Sequence, residues 1–447
     1  MPVDPSIFKA YDIRGTYPRQ LNGQVAYQIG AALAGYLECR TIAVGRDMRL
    51  SSDELLEQLI RGINDSGVDV IDLGLISTDA LYFAVGKFGY DGGVMITASH
   101  NPKEYNGFKI CRKNAEPLSG SEGLNQMLQA IQEGTWLREA STKGMVVRRD
   151  ISEEYARHCL SFIDVTKVKP YSIVIDAGNG MAGATLPPVL KHLPVKVTRL
   201  FFELDGSFPN HPASPIELEN LRDLQKKIAE TKADFGVAFD GDADRMFLVD
   251  KDGRQLGGDM VTALVAKSLL SKHPRETILY NLICSRAVPE LVTRLGGNAI
   301  RTRVGHALIK PLMKKNNAIF GGEHSGHFYF RDNWFADSGL IAFLVCLELI
   351  SVEGTPLHEM VQVIDPYFRS GEINSRVESI PVKIQQVTES YASGKQDTID
   401  GLTVQFDDWW FNLRPSNTEP LLRLNIEANS RKLLEAKTKE LLKIIRS

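Results

Sequence analysis

The 447-residue sequence has few cysteines, no long apolar run and no excess of one charge. Its five cysteines are scattered, odd in number and form no C-x-x-C pair, which argues against a disulfide framework or a zinc site. The formal net charge is −3, so no nucleic acid or anionic membrane is indicated as a partner. We therefore expect a cytoplasmic protein.

Targeting and membrane-spanning segments are also missing from the pattern of the sequence. The N-terminus has no basic region followed by an apolar stretch, so no signal peptide is predicted. The longest apolar run, residues 339–350, contains Glu348 and is shorter than the roughly 20 residues that span a bilayer. We predict that this run forms a buried helix.

Strand and helix patterns alternate along most of the chain. A β-rich run at residues 41–45 precedes a capping box at 51–54, apolar residues at helical spacing and a second strand at 68–74. This β-α-β order predicts a largely parallel sheet covered by helices. From about Asp365, β-rich runs precede a terminal amphipathic helix, which indicates a smaller α+β domain. The length alone suggests about three domains, with four also possible.

One serine is placed on a turn in a way that suits chemistry. Residues 93–98 form an apolar run that ends at Ser99, and Asn101-Pro102 predicts a tight turn after it. Asn106-Gly107 predicts a further turn before an extended run that carries Lys109. Ser99 could be a nucleophile with His100 beside it, a phosphate acceptor or only a turn residue.

Three aspartates, Asp240, Asp242 and Asp244, alternate in a glycine-containing connection between two predicted strands. In an extended backbone this spacing turns successive carboxylates to one side. Crowded carboxylates favour a hard cation such as Mg²⁺, whereas the simpler alternative is a solvated acidic turn. An EF-hand is excluded because its sixth and twelfth positions hold Arg245 and Lys251.

A glycine pattern in the second quarter has two interpretations. Residues 178–183 fit G-x-G-x-x-G after a strand, and Glu203 lies twenty residues further on, as in dinucleotide-binding proteins. The same glycines are also needed simply to turn a strand into a helix. We favour the second interpretation and do not predict NAD binding.

Three further polar segments could contact a sugar phosphate. Residues 414–420 combine an arginine fork with hydroxyls in a turn, which suits a phosphate dianion or a plain turn. Residues 321–327 combine a carboxylate, a hydroxyl and imidazoles, which suits sugar hydroxyls or a plain loop. Near the N-terminus, Tyr11 and Arg14 precede Gly15, where a surface turn is the simpler interpretation.

Together, these segments resemble the α-D-phosphohexomutase family, and most closely its bacterial phosphomannomutases. The matching segments extend in order over almost the whole chain: residues 9–15, 97–102, 105–109, 240–245, 321–327 and 414–420. The resemblance implies three α/β domains with mixed sheets and a smaller C-terminal α+β domain around a central cleft. The implied domains are residues 1–145, 146–249, 250–363 and 364–447.

The resemblance also implies an isomerase that interconverts mannose 6-phosphate and mannose 1-phosphate. Ser99 would be carried as a phosphoserine and would form a hexose 1,6-bisphosphate intermediate, which also acts as activator. One Mg²⁺ per chain would be held by Ser99, Asp240, Asp242 and Asp244. Phosphoglucomutase, dual phosphomannomutase/phosphoglucomutase and phosphoglucosamine mutase activities are alternatives, and the chain would be a monomer or dimer.

The resemblance assigns roles to named residues of this chain. Arg14 and Lys109 are the candidate general acid and base, for which Lys109 needs a depressed pKa. The implied catalytic residues are Ser99, Arg14, Lys109, His100 and Arg245. The implied substrate-binding residues are Tyr11, His306, Glu323, Ser325, His327, Arg414, Ser416, Asn417 and Thr418.

One position departs from the pattern of some dual-specificity relatives. These relatives carry a sugar-contacting lysine where this sequence has Ile283, so equal use of glucose phosphates is not expected. Two other classes remain open. A metal-dependent phosphatase could use the same aspartates, although the distal phosphate loop would then have little purpose. A non-catalytic sugar-phosphate sensor is possible on any such fold.

Overall fold

The protein folds around four β-sheets that follow one another along the chain. The structure, a computed structural model, describes residues 3–136, 140–416 and 421–447, with the backbone alone at residues 121, 122, 306 and 307. The sheets and their helices confirm the predicted class of three α/β domains and a smaller C-terminal α+β domain. The estimate of three domains from length alone was too low.

Domain 1 contains a seven-stranded mixed sheet. Its strands are β1 (Ile13–Thr16), β2 (Thr41–Arg46), β3 (Asp69–Leu75), β4 (Gly92–Ile96), β5 (Tyr105–Arg112), β6 (Glu116–Pro117) and β7 (Val146–Arg148). Its helices are α1 (Gly23–Leu37), α2 (Ser52–Asp65), α3 (Thr78–Phe88) and α4 (Asn125–Glu133). The strand order is β1-β5-β4-β2-β3-β7, with β6 paired to β5. Strands β4, β2, β3 and β7 run parallel, as predicted for the β-α-β order.

Domain 2 contains a four-stranded sheet in which only the last strand is antiparallel. Its strands are β8 (Ser172–Asp176), β9 (Lys196–Leu200), β10 (Phe235–Phe239) and β11 (Met246–Asp250). Its helices are α5 (Ser152–Leu160), α6 (Ala182–Thr185), α7 (Pro187–Leu190) and α8 (Arg222–Thr231). The order β11-β10-β8-β9 places the antiparallel hairpin β10–β11 at one edge.

Domain 3 repeats this plan. Its strands are β12 (Thr277–Asn281), β13 (Asn298–Thr302), β14 (Phe320–Gly322) and β15 (Phe328–Phe330). Its helices are α9 (Gly258–Lys272), α10 (Ala287–Arg294), α11 (His306–Asn316), α12 (Gly339–Glu353) and α13 (Leu357–Ile364). The order is β13-β12-β14-β15, and β15 returns antiparallel to β14. The sheets of domains 2 and 3 therefore each have an antiparallel hairpin at one edge.

Domain 4 is fully antiparallel and carries two helices. Its strands are β16 (Phe368–Arg369), β17 (Ile373–Ser375), β18 (Lys395–Asp397), β19 (Leu402–Gln405), β20 (Trp409–Pro415) and β21 (Leu422–Ala428). Its helices are α14 (Ile380–Ser390) and α15 (Arg431–Ile445). The order is β16-β21-β20-β19-β18, with β17 also paired to β21.

Helix α12 lies in the core that the first three domains share. Its residues 339–351 are buried, as the apolar run predicted, and one apolar cluster joins Phe83 of domain 1, Tyr155 of domain 2 and Phe343 of α12. A helix that is apolar on all sides is expected where every side is covered. Within the described ranges, no single helix is long and apolar enough to span a membrane, although α12 and α13, bent by 94°, meet that criterion as a pair.

Two local predictions were wrong. Asn106-Gly107 is not a turn but part of β5, where Gly107 permits the close approach of β1: a Cβ there would lie 2.2 Å from the Ile13 carbonyl oxygen. Ser51 does not cap α2 with its side chain. Its hydroxyl instead accepts a hydrogen bond from Asn106 (2.8 Å), so these two deviations belong to one buried contact.

A buried carboxyl group connects the domains at the start of α3. Asp79 is fully buried in domain 1 and accepts hydrogen bonds from Ser77 and, at 2.7 Å, from Ser338 of domain 3. Tyr155 of domain 2 lies 3.5 Å from the same Ser338 hydroxyl. Burial raises the pKa of Asp79 to about 6, although the hydroxyls around it partly oppose this. Folding therefore favours the protonated form.

We predict that the Asp79→Asn variant lacks the pH dependence of stability that the Asp79 carboxyl contributes to the wild type. A carboxyl whose pKa is raised on folding stabilises the protein below its unfolded pKa, and this contribution is lost as the pH rises through about 6. The wild type should therefore lose up to about 3 kcal/mol of unfolding free energy relative to Asp79→Asn between pH 4 and pH 8. Urea unfolding at several pH values measures the difference, and a pH-independent difference contradicts the prediction.

Candidate active site

The candidate site residues follow the carboxyl ends of parallel strands in three domains. Ser99 follows β4, Asp240 follows β10 and Glu323 follows β14. Open α/β sheets present their functional loops at this edge, because the backbone leaves the sheet there. The domains then bring these edges together, so residues far apart in sequence become neighbours.

Ser99 lies at the centre of a buried polar cluster and is 3% exposed. Its hydroxyl donates to Asp240 Oδ2 (2.7 Å) and accepts from Arg245 Nη2 (2.8 Å), and His100 Nδ1 lies 3.1 Å away. Its backbone has φ = 51°, a left-handed conformation that costs about 1–2 kcal/mol for a residue with a Cβ. A strained serine held among charged groups is typical of a functional residue.

The three aspartates converge through a turn, so the prediction of an extended backbone was wrong. The segment after β10 turns through Gly241 and through Ala243 at φ = 62°, and the Arg245 N–H donates to Asp240 Oδ1 (3.1 Å). All three carboxylates are at most 1% exposed. Each aspartate offers one carboxylate oxygen, and these three oxygens lie within 4.8 Å of one another.

The glycine pattern at residues 178–183 supports this turn by packing. A Cβ on Gly180 would lie 2.7 Å from the Gly241 carbonyl oxygen, and one on Gly183 would lie 2.1 Å from that of Phe202. Both positions therefore need glycine because backbones approach closely there. This agrees with the packing interpretation that the sequence favoured over dinucleotide binding.

The aspartate cluster fits a divalent cation. Asp242 Oδ1 and Asp244 Oδ1 are buried and have no hydrogen-bond partner in the part of the chain that the structure describes, which is costly for carboxylate oxygens. An all-oxygen set of three carboxylates suits a hard ion such as Mg²⁺. Asp244 also belongs to a second group of possible metal ligands, with His327 and Asp337.

Two buried cations balance the aspartates. Lys109 contacts Asp242 (2.7 Å) and Asp244, and Arg245 pairs with Asp240 (2.8 Å). Burial alone would raise the pKa of Asp242, but Lys109 outweighs it and lowers that pKa. Burial raises the pKa of Asp240 to about 7 despite Arg245. Three carboxylates facing two cations leave one unbalanced negative charge, which a metal ion would neutralise.

Lys109 is held as a cation in this arrangement. Burial alone would lower its pKa, but Asp242 and Asp244 outweigh burial and raise the pKa above its ordinary value. Asp242 and Asp244 therefore do not give Lys109 the depressed pKa that a general base needs.

His100 and Arg14 flank the serine from domain 1. Arg245 donates to His100 Nδ1, and the positive charge of Arg245, together with burial, keeps the pKa of His100 well below its ordinary value. His100 is therefore neutral. Arg14 donates to Asn101 in the serine turn and pairs with Asp12 (2.5 Å). Arg14 thus lies beside the serine turn.

The predicted sugar-contacting segment forms the turn between β14 and β15. Glu323 is 2% exposed, and its carboxylate accepts from the Gly305 N–H (3.1 Å) and from the Tyr329 hydroxyl (2.7 Å). Tyr11 of domain 1 lies against the same glycine: a Cβ on Gly305 would be 3.0 Å from its hydroxyl. Ser325 is half-buried in this turn. Domains 1 and 3 therefore meet at Glu323.

His327 connects this turn with the aspartate cluster. Its Nδ1 lies 2.9 Å from Asp337 and 3.9 Å from Asp244, and it forms an isolated bridge with Arg245. Burial alone would lower the pKa of His327, but Asp244 and Asp337 outweigh burial and raise it. Lys310 pairs with the other carboxylate oxygen of Asp337 (2.9 Å). The imidazole therefore lies between Asp337 and Asp244, at the edge of the aspartate cluster.

Domain 4 contributes an arginine that retains binding capacity. Arg414 is 5% exposed, its Nη2 donates to Glu372 (2.7 Å), and its Nη1 is buried without a hydrogen-bond partner among the described residues. The Asp400 carboxylate accepts from the Val304 N–H (3.2 Å) of domain 3. Burial lowers the pKa of Arg414 and raises the pKa of Tyr11; the Asp400 charge opposes the first shift and adds to the second. Ser416 follows β20, whereas Asn417, Thr418 and the His306 side chain lie outside the described residues.

Sequence reasoning missed residues that support the site. Thr78 donates its hydroxyl to Asp242 (2.5 Å), Asp337 holds His327, and Arg49 binds the serine turn. Arg49 follows β2 at the same edge of the sheet as Ser99, and this position was the available signal. Thr78 carries no signal of its own, because its contact depends on how domains 1 and 2 pack.

The fold and the site define a multidomain α/β enzyme of the phosphoryl-transfer class, with a buried serine, a carboxylate cluster and a separate buried arginine in domain 4. Descriptions of the phosphoglucomutase/phosphomannomutase family match the chain in four consecutive parts. These are alpha/beta/alpha domain I at residues 5–137, domain II at 153–253, domain III at 257–367 and the C-terminal domain at 372–444.

Individual relatives match over nearly the full length. A phosphomannomutase from Salmonella montevideo is 40% identical over 451 residues, covering 98% of this chain and 99% of its own. A protein named "Phosphohexose mutases" from Xanthomonas campestris pv. campestris (strain B100) is 40% identical over 443 residues, covering 98% of this chain and 99% of its own. A solved phosphoglucomutase/phosphomannomutase family structure from Burkholderia thailandensis has a TM-score of 0.89 at 32% identity, covering 99% of this chain and 98% of that one. The chain therefore belongs to the phosphoglucomutase/phosphomannomutase family.

We predict that Gly241→Ala weakens Mg²⁺ binding by on the order of tenfold, since support of metal ligands is typically worth 10- to 100-fold in affinity. A Cβ at Gly241 would lie 2.5 Å from the Ser99 carbonyl oxygen, so the serine turn and the aspartate turn would have to separate. Isothermal titration calorimetry with Mg²⁺ measures the change. The control is Gly35→Ala, because a Cβ at Gly35 meets no atom within 4 Å. Equal Mg²⁺ affinity in both variants contradicts the prediction.

Proposed function

We propose that the protein is a phosphomannomutase, an isomerase that interconverts mannose 6-phosphate and mannose 1-phosphate through a phosphorylated Ser99. The observation that carries this proposal is the set of contacts at the Ser99 hydroxyl, with Asp240 at 2.7 Å and Arg245 at 2.8 Å. A hydroxyl beside a carboxylate cluster and a guanidinium suits reversible phosphoryl transfer. The names of the full-length relatives support the choice of mannose phosphates.

The reaction consists of two phosphoryl transfers, and both pass through Ser99. In the first, the free hydroxyl of the hexose phosphate attacks the phosphorus on Ser99, the P–Oγ bond breaks, and the proton of that hydroxyl ends on Ser99 Oγ. The product is a hexose 1,6-bisphosphate. In the second, Ser99 Oγ takes the other phosphoryl group, and the sugar oxygen that loses it gains the proton. The bisphosphate also serves as activator, because it phosphorylates an unmodified Ser99.

Arg245 stabilises negative charge on Ser99 Oγ, which is the leaving oxygen of the first transfer and the attacking oxygen of the second. Its Nη2 already donates to Ser99 Oγ, while its Nε donates to Asp240 (2.9 Å) and fixes the direction of the guanidinium. In a buried site, such a preorganised donor stabilises developing charge more strongly than in water. His100, kept neutral by Arg245, supports this orientation and does not supply a proton.

Lys109 and Arg14 provide positive charge near the attacking hydroxyl. Lys109 remains protonated between Asp242 and Asp244, so we assign it charge stabilisation in place of proton removal. Arg14 is oriented by Asp12 and by Asn101, whose neighbour in the turn is His100. Phosphoryl transfer passes through a loose transition state, so placement and charge contribute more than strong proton removal.

Asp240, Asp242 and Asp244, with an oxygen at Ser99, would hold the metal ion, which we take to be Mg²⁺. A phosphoryl dianion on Ser99 would raise the unbalanced negative charge of the cluster from one to three. When bound, Mg²⁺ neutralises charge on the phosphoryl group during transfer. The orphaned oxygens of Asp242 and Asp244 are the ligands that this ion would satisfy.

The sugar and its second phosphate would be held by domains 3 and 4. Glu323 and Ser325 would bind sugar hydroxyls in either orientation, with Tyr11, His306 and His327 around them. Arg414, with its unpartnered Nη1, would bind the phosphate that is not reacting, together with Ser416, Asn417 and Thr418. A mutase needs this second site because either end of the sugar must reach Ser99, and a simple phosphatase does not.

We predict that Ser99→Ala lowers mannose phosphate isomerisation by several orders of magnitude, because the phosphoryl carrier is removed. The assay follows mannose 1-phosphate, glucose 1-phosphate and glucosamine 1-phosphate separately, each with a trace of the corresponding 1,6-bisphosphate. Ile283 is 9% exposed and offers no amine to a sugar, so mannose phosphate should have the highest kcat/KM.

The control for this experiment is Ser390→Ala in exposed helix α14, which should keep wild-type activity. Near-normal turnover in Ser99→Ala, or net release of inorganic phosphate by the wild type, would refute the mutase. Absence of turnover with all three sugars would favour a non-catalytic sensor.

We also predict that chelation with EDTA stops turnover and that added Mg²⁺ restores it. Removing the ion leaves the negative charge of three carboxylates and a phosphoryl dianion in excess over the two cations that contact the aspartates, Lys109 and Arg245. Asp242→Asn should lose Mg²⁺ binding in calorimetry while it keeps a cooperative thermal transition. Turnover that continues at full rate in EDTA is the contrary result.

A further inference from the structure

Arg49 is a buried arginine whose guanidinium binds the backbone around Ser99. Its side chain is fully buried, and it donates to four carbonyl oxygens of the serine turn. The acceptors are the carbonyls of Ser99 (2.8 Å), Asn101 (2.7 Å), Pro102 (2.8 Å) and Tyr105 (2.9 Å). The turn has no other described cation inside it, because Arg14 and Arg245 contact only its side chains.

A second layer of contacts fixes the guanidinium itself. Asp47 is fully buried, accepts from the Arg49 N–H (3.0 Å) and lies 3.3 Å from Arg49 Nε. Ser52 donates to the same carboxylate (2.8 Å), and Asn106 donates to Ser52 (3.0 Å). The loop after β2 is therefore a buried polar network that ends on the serine turn.

Domain 2 covers the outer side of this network. The Arg49 guanidinium lies 5.1 Å from the centre of the Phe208 ring, and Phe208 itself has φ = 52°. A Cβ on Gly206 would lie 2.6 Å from Arg49 Cα, so the two loops are in close contact. The same residue thus contacts the serine turn of domain 1 and a loop of the domain that carries the aspartates.

We propose that Arg49 is a positioning residue for phosphoryl transfer, which fixes Ser99 Oγ in line with the aspartate cluster by holding four backbone carbonyls. This inference rests on the proposed role of Ser99 as phosphoryl carrier. Arg49 touches no reacting atom. It acts through the backbone of a serine whose left-handed conformation would relax if the carbonyls were released.

The chemistry of the contact requires arginine. A guanidinium presents five donors in a rigid plane and can serve four carbonyls at once, whereas an ammonium offers three donors around one point. Arg49→Lys keeps the buried charge opposite Asp47 but cannot span the four acceptors. The variant therefore separates placement of the serine turn from charge balance.

The test compares Arg49→Lys with Arg61→Lys, a control on the exposed side of α2 that pairs with Asp65 (3.8 Å) and has no contact with the serine turn among the described residues. We expect kcat for mannose 1-phosphate isomerisation to fall on the order of 100-fold in Arg49→Lys, the usual effect of a misplacement of about 1 Å, with KM changed less than about threefold. Phosphorylation of Ser99 by hexose 1,6-bisphosphate, followed by mass spectrometry, should slow in parallel. In Arg49→Ala, added guanidinium chloride at low concentration should restore part of kcat.

A folded Arg49→Lys with wild-type kcat overturns the proposal. Loss of kcat that only follows loss of folded protein, with no guanidinium rescue, also overturns it, because a purely structural role predicts that result. If neither Arg49 variant folds, Asp47→Asn decides: a loss of kcat of about tenfold at constant KM supports the proposal, and an unchanged kcat rejects it. A wild type without mutase activity or phosphoserine would instead refute the proposed function.

Discussion

The balance of charge in one buried cluster constrains the rest of this structure. Three aspartates of domain 2 face Lys109 of domain 1 and Arg245 of domain 2. The aspartates and Arg245 are nearly inaccessible to water, and the Lys109 side chain is 12% exposed. Burying a charge without a partner costs several kcal/mol, so each group requires the others in place. The close packing of Gly180 and Gly241 and the hydroxyl of Thr78 meet this need by fixing the carboxylates.

Three domains of similar architecture bring the groups of this cluster together. Three sheets present the carboxyl ends of their parallel strands to one region, and each supplies a different group: a serine, a set of carboxylates and a loop with Glu323. The shared apolar core around helix α12 holds these edges together. Domain 4 differs, since its antiparallel sheet joins domain 3 through contacts such as Arg286 with the Asp407 carbonyl (3.0 Å). Its Arg414 is thereby placed apart from the serine.

Sequence patterns predicted the α/β class, the buried helix at 339–350 and the convergence of the aspartates, because periodicity and chemical type are local properties. They failed where tertiary contacts decide. The backbone turns after Asp240 although Ala243 must adopt a left-handed φ of 62°, and Asn106 stays in a strand because its side chain has buried partners. Arg49 was missed because it recognises backbone carbonyls, which leave no trace in side-chain identity.

The contact between Gly241 and Ser99 has an evolutionary consequence. Half of the reaction centre belongs to each of two domains, and the two halves meet through backbone atoms with no space for an extra methyl group. Domains 1 and 2 must therefore be inherited as one unit, because a chimera that joins them from distant relatives would misalign the serine and the carboxylates. Domain 4 makes no such backbone contact with Ser99 among the described residues, so its exchange would not by itself misalign the serine and the carboxylates.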